Sequence, residues 1–268
     1  MPTSTLTMNR TGAAVSPSGT KAMTDAVNEF APPAPIDTEA SEAQRIVYIN
    51  ESDAIGSIPP PPSVKGLVKT SVAKLTGGHP EVFMDKIGER IAFERGGTRL
   101  YDALITKYEA LSRAGGEVLP SAAQGAIDDD GEPMLLLRDE TPGQTLARIR
   151  AEELSHFKML CEAMEVLGGD PTAQTPCADV IATSSMGLMQ VVTDPRTTMA
   201  QSLNAMLTAE LTDNAGWELL IQLAEESGNT DLTGRFLVAY SQEQEHLLTI
   251  KHWVTALVVE GSGAATTR

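Results

Sequence analysis

Residues 143–167 read GQTLARIRAEELSHFKMLCEAMEVL and run into Gly168 and Gly169. Leu146, Ile149, Leu160, Met164 and Leu167 return at steps of three and four, the period of a helix face packed against other helices. Glu153 and His156 interrupt this apolar stripe near its middle. Three helical residues advance about 300° and rise about 4.5 Å, so an E-x-x-H pair sets a carboxylate and an imidazole on one face, spaced for a common ion. One such pair is ordinary on a solvated helix. Within an apolar stripe it asks for a charge partner.

Three other segments repeat the plan. From Pro80 to about Arg113 the stripe is Ile87, Ile91, Glu94, Thr98, Tyr101, Ile105 and Tyr108, with proline at a tolerated first position and Gly115 and Gly116 beyond the end. After Pro195 it is Met199, Leu203, Met206, Glu210, Trp217, Leu220 and Ala224, and after Gly228 it is Leu232, Phe236, Ala239, Glu243, His246, Ile250, Trp253 and Leu257. The only strand-like run, residues 134–137, lies in an acidic loop, so the domain is expected to be all-α, over residues 79–260. About thirty residues join the second and third segments, enough to cross the length of a bundle, with a short helix over residues 178–192 on the way. Such a crossover makes the second and third helices of an antiparallel four-helix bundle parallel to each other.

The rest of the 268-residue chain reads differently. Residues 1–62 hold nine of its sixteen prolines and few large apolar side chains, the composition of a disordered arm. Residues 63–78 space Val64, Leu67, Val68, Val72 and Leu75 as a short amphipathic helix, suited to pack on the main domain or to dock on a partner, and residues 261–268 read as a flexible tail. A net charge of −16 argues against nucleic acid as a partner. No run of about 18 apolar residues spans a membrane, and the N-terminus has no signal-peptide core. With only Cys161 and Cys177, the chain excludes a disulfide-dense scaffold, a four-cysteine metal centre and a cysteine-held iron–sulfur cluster, and cytoplasm is the expected compartment.

The informative coincidence is that every stripe is broken by charge at its middle: Glu94, then Glu153 with His156, then Glu210, then Glu243 with His246. Four buried carboxylates without a cation would each cost several kcal/mol of desolvation, beyond what a marginally stable domain absorbs. Two divalent ions cancel four negative charges. Oxygen donors mixed with imidazole favour iron or manganese, and zinc fits the same ligands without redox activity.

In these residues the chain resembles the ferritin-like di-iron carboxylate superfamily, bacterioferritins and rubrerythrins among them, whose helices carry Glu, E-x-x-H, Glu and E-x-x-H in that order. The resemblance covers about residues 80–258. It implies Glu94 and Glu210 as terminal ligands, Glu153 and Glu243 as bridging ligands, and His156 and His246 as one imidazole per metal, holding two iron ions, two manganese ions or a mixed pair. Tyr101 follows Glu94 by seven residues as Trp217 follows Glu210, and a ring at this place is similar to the tyrosine of bacterioferritins. Such a ring roofs the metals or relays an electron, and Tyr240, one turn before Glu243, has the same two roles open. Asp213, three residues after Glu210, stands where rubrerythrins carry an extra Glu, either as a seventh ligand or as a group orienting His156. Gly96 and Gly97 beside Glu94 imply a close helix approach, room for a small molecule, or a π-bulge.

The expected function is therefore a dimetal protein, di-iron by its donors, reacting with O2 or H2O2 as oxidase, peroxidase or ferroxidase. The alternatives are iron storage or sequestration, as cargo of a larger shell held through the N-terminal arm, and a structural bundle with no redox role. A homodimer is compatible with the sequence.

Overall fold

The computed structural model describes residues 15–31, 38–56, 58, 80–115, 118–121 and 140–264, the side chains of 260–264 excepted. Its elements are the helices α1 (Pro17–Phe30), α2 (Glu39–Glu51), α3 (Pro80–Arg113), α4 (Pro142–Leu167), α5 (Pro176–Thr193), α6 (Met199–Glu226) and α7 (Thr230–Ala264). No strand occurs among the described residues. The expected helix over residues 63–78 and the strand-like run at 134–137 lie outside them.

The chain divides into two units, Met1–Ala54 and Ile55–Arg268. In the first, α1 and α2 revise the expectation of a disordered arm for their own residues. Averaging composition over 62 residues hid two proline-free runs: Pro17 sits in the first turn of α1, where a missing N–H costs nothing, and Pro32, Pro33 and Pro35 follow its last residue. Neither helix buries a residue, so neither contributes to a core.

In the second unit α3 packs on α4, α5 and α6, α6 packs on α5 and α7, and α4 meets α7. Sequence chemistry sets the starts of two helices. Thr141 with Gln144, and Thr198 with Gln201, each form a reciprocal capping box that satisfies amides otherwise orphaned at a helix N-terminus. The connecting helix α5 is held to α3 at both ends. Asp85 accepts from the Cys177 amide at 2.9 Å at its start, and Lys107 Nζ donates to Asp194 O at 3.0 Å and Thr197 O at 3.2 Å beyond its end. An acid at the N-terminus and a base at the C-terminus also suit the helix dipole. At the far end α7 overruns the expected boundary at 260, continuing through Gly261 and Gly263 to Ala264.

Two apolar clusters fill the interior. One joins Leu100 and Leu104 of α3, Leu146 and Ile149 of α4, Leu203 and Met206 of α6, and Ile250 and Trp253 of α7. The other joins Ile87 and Ile91, Leu160 and Met164, Trp217 and Leu220, and Leu232 and Phe236. Every one of these helices thus gives one half to each cluster. The charged residues at mid-helix fall between two greasy layers. No helix among the described residues is long and apolar enough to cross a membrane.

Candidate metal centre

Glu94, Glu153, His156, Glu210, Asp213, Glu243 and His246, the seven side chains expected from sequence, are all buried, none more than 2% exposed. Their donor atoms gather into three overlapping sets, in each of which all lie within 4.8 Å of one another: Glu153, Glu210, Glu243 and His246; Glu94, His156 and Glu243; and Glu94, Glu153, Asp213 and Glu243. Glu243 belongs to all three and Glu153 to two, so these two acids occupy the middle. Glu243 lies between the imidazoles, Oε1 at 2.6 Å from His156 Nδ1 and Oε2 at 3.2 Å from His246 Nδ1.

Both imidazoles turn the same atom inward because the other is taken. His156 Nε2 is 2.9 Å from Gln242 Oε1, and His246 Nε2 is 2.8 Å from Glu152 Oε2. An oxygen acceptor keeps a proton on Nε2, so Nδ1, which faces the carboxylates, is the nitrogen that would give its lone pair to a metal. The aromatic residues cross over. Tyr101 on α3 donates to Glu210 Oε1 on α6 at 2.5 Å, and Trp217 Nε1 on α6 donates to Glu94 Oε1 on α3 at 2.9 Å. Each ring therefore serves the acid of the opposite helix, rather than the acid seven residues before it. Edge-on ring contacts repeat the exchange, Tyr101 with His246 and Trp217 with His156.

Asp213 and Tyr240 depart from expectation, and Gly97 meets one of its alternatives. Asp213 does not orient His156: its Oδ1 lies 2.8 Å from Nη2 of Arg90, a guanidinium only 1% exposed, and Gln242 holds the imidazole instead. Tyr240 is half-buried, and its hydroxyl donates to Glu218 at 2.5 Å at the surface, which takes it away from the acids. Gly97 is a close approach: a methyl there would overlap Glu153 Oε2, whereas Gly96 has nothing near it, and the helix runs through both without a π turn.

Arg90, Glu152 and Gln242 are the functional neighbours that sequence reading missed. Arg90 stands four residues before Glu94, on the buried face. Gly216 is what admits it, since a methyl there would strike its Nη1, and the ring of Phe93 lies 4.3 Å beneath the guanidinium. Glu152 and Gln242 each directly precede a central acid, so aligning the two E-x-x-H segments would have paired them.

The electrostatics follow. Burial, reinforced by neighbouring carboxylates, pushes Glu94 and Glu210 well above the usual carboxyl range. Burial does the same to Asp213, against the pull of Arg90, and raises Glu153 as well. Burial also works to raise Glu243, but the imidazoles, His246 first, outweigh it and hold this carboxyl below the usual range. For both histidines burial opposes charge, and Glu243 overrides it, so both are raised. Acids that retain protons beside imidazoles that acquire them mark a site short of positive charge.

The donor set fits cations. One oxygen on each of Glu94, Glu153 and Glu210 has no hydrogen-bond partner among the described residues, in an interior where such atoms are nearly always satisfied, and Glu243 Oε1 meets only the His156 imidazole among them. Fully ionised, with neutral imidazoles, the five buried carboxylates against the one guanidinium of Arg90 would carry a formal excess of four negative charges, which only cations could match. This buried acid and histidine cluster could hold metal. Compared with protein-family models, with curated proteins and with solved structures, the chain matches none.

Proposed function

We propose that residues 80–258 form a ferritin-like four-helix bundle whose centre holds two metal ions, iron first and manganese next, and works on O2 or H2O2 as an oxidase, peroxidase or ferroxidase. The topology is supported by the two apolar clusters, one joining the first halves of α4 and α6 to the second halves of α3 and α7 and the other joining the second halves of α4 and α6 to the first halves of α3 and α7. That sharing fits α4 and α6 running the same way, joined by α5 as the crossover. The observation that carries the metal reading is the gathering of five buried carboxylates around one guanidinium, with an oxygen on each of Glu94, Glu153 and Glu210 that has no hydrogen-bond partner among the described residues.

Two ferrous ions, when bound, supply the electrons that reduce O2 or H2O2. The chain's own residues prepare the place. By the sets that their donor atoms form, Glu153 and Glu243 would be held in common by the two ions, Glu94 with His156 would serve one and Glu210 with His246 the other. Tyr101 and Trp217 hold Glu210 and Glu94 by a single oxygen each, leaving the second oxygen of each acid free to bind. Arg90 neutralises Asp213, so the fifth acid does not demand a third cation. The apolar layers on either side exclude water, which strengthens every charge interaction between them.

The test is aerobic addition of ferrous iron to metal-free protein, following iron bound and oxidant consumed. Two irons per chain with consumption of O2 or H2O2 is the expected result. Loading far beyond two would replace the catalytic reading by storage. Binding of no iron, or retention of stoichiometric zinc by the protein as purified from cells, would overturn the redox reading.

A further inference from the structure

We infer that the two cation positions are unequal, the one served by Glu210 and His246 binding more tightly than the one served by Glu94 and His156. This rests on the dimetal reading above and ranks its two ends. The ligands themselves are matched, so the ranking comes from what stands behind them.

His246 Nε2 is 2.8 Å from a carboxylate, Glu152 Oε2, whereas His156 Nε2 is 2.9 Å from a neutral amide, Gln242 Oε1. An imidazole whose remote N–H is donated to a carboxylate is the more electron-rich ligand through its other nitrogen. Glu152 is itself fixed, its Oε2 lying 2.9 Å from Arg148 Nη1. Arg148 also faces Glu140 at 3.0 Å and Glu245 at 2.8 Å, so its guanidinium is divided among three acids. Gln242 supplies no charge at the corresponding place.

A second difference sits on the Glu94 side alone. Asp213 shares a set with Glu94, Glu153 and Glu243, but it is engaged by Arg90, so the pair contributes a permanent cation with its charge already matched. The places related by the repeat are Met206 and Gly97, which carry neither charge. The Glu94 side therefore gains no net attraction from its extra acid, while the Glu210 side keeps the Glu152 carboxylate behind its imidazole.

Titration of metal-free full-length protein with Co(II) under anaerobic conditions, read by visible absorption, tests the ranking, with far-ultraviolet circular dichroism to show that variants keep their helices. The wild type is expected to bind two Co(II) in two steps at least about tenfold apart. Glu152→Gln is expected to weaken the tighter step by about ten- to a hundredfold and spare the other, and Gln242→Glu to tighten the weaker step. Two equal steps, or a Glu152→Gln variant that loses the weaker step instead, would overturn the inference and leave the dimetal reading standing. A folded wild type that binds no Co(II) would overturn both.

Discussion

The α3–α4 pair and the α6–α7 pair present the same carboxylates and imidazoles in the same register, yet the residues beside them differ. Glu94, Glu153 and His156 correspond to Glu210, Glu243 and His246. Around them Arg90 is matched by Met206, Gly97 by Asp213, Tyr101 by Trp217 and Glu152 by Gln242. What is shared is the set of acids and imidazoles on which the proposed dimetal centre rests. What differs fills the space unequally: the Arg90–Asp213 ion pair reaches across from α3 to α6 on one side only, and Gly97 yields its volume to the Glu153 carboxylate.

Erasing the shared part should have the largest effect. The double variant Glu153→Ala with His246→Ala removes one central acid and one imidazole and is expected to lose both tightly bound ions. Elemental analysis checks this, and retention of two ions would show that these residues are not ligands. The unshared ion pair comes next. Asp213→Asn leaves Arg90 buried without its counter-charge and is expected to cost about 3–5 kcal/mol in denaturant unfolding. Arg90→Met with Asp213→Gly, which copies the other half, should recover most of that loss.

Smaller changes sharpen the contrast within one helix. Gly97→Ala forces Glu153 to move and is expected to cost about 1–3 kcal/mol and to weaken metal binding. Gly96→Ala, with open space around it, should be neutral or stabilise by up to about 1 kcal/mol through helix propensity. Thermal melts of the two variants with and without metal separate these outcomes. The tyrosines differ in the same way. Tyr101→Phe removes a buried hydrogen bond to Glu210, at an expected cost of about 1–2 kcal/mol. Tyr240→Phe removes only the surface bond to Glu218 and should stay within about 0.5 kcal/mol of wild type.

The contrast also explains what the sequence could reveal. Helical period and the mid-stripe charges identify α3, α4, α6 and α7 and six of the seven clustered acids and histidines, because burial acts on every turn and the two halves repeat, whereas Asp213, with Gly97 at its repeat position, was indicated only by the resemblance to rubrerythrins. Arg90 escaped because a lone guanidinium on a buried face follows no repeat, and its room comes from Gly216, remote in sequence. The exchange of Tyr101 and Trp217 between opposite helices escaped because spacing along one helix says nothing of which neighbouring helix a ring will reach. Tyr240 misled for a related reason: three residues before Glu243 along α7 sets the ring near that face without saying which neighbour its hydroxyl will meet, and Glu218 captures it. In the N-terminal segment, proline content averaged over many residues concealed where α1 and α2 could form.

Anomalous diffraction from crystals grown with Mn(II) addresses the buried-charge argument most directly. Two peaks are expected, one beside Glu94 and His156 and one beside Glu210 and His246, with Glu153 and Glu243 between them. A map with no peak there, the glutamates hydrogen-bonded to one another as neutral acids, would contradict it.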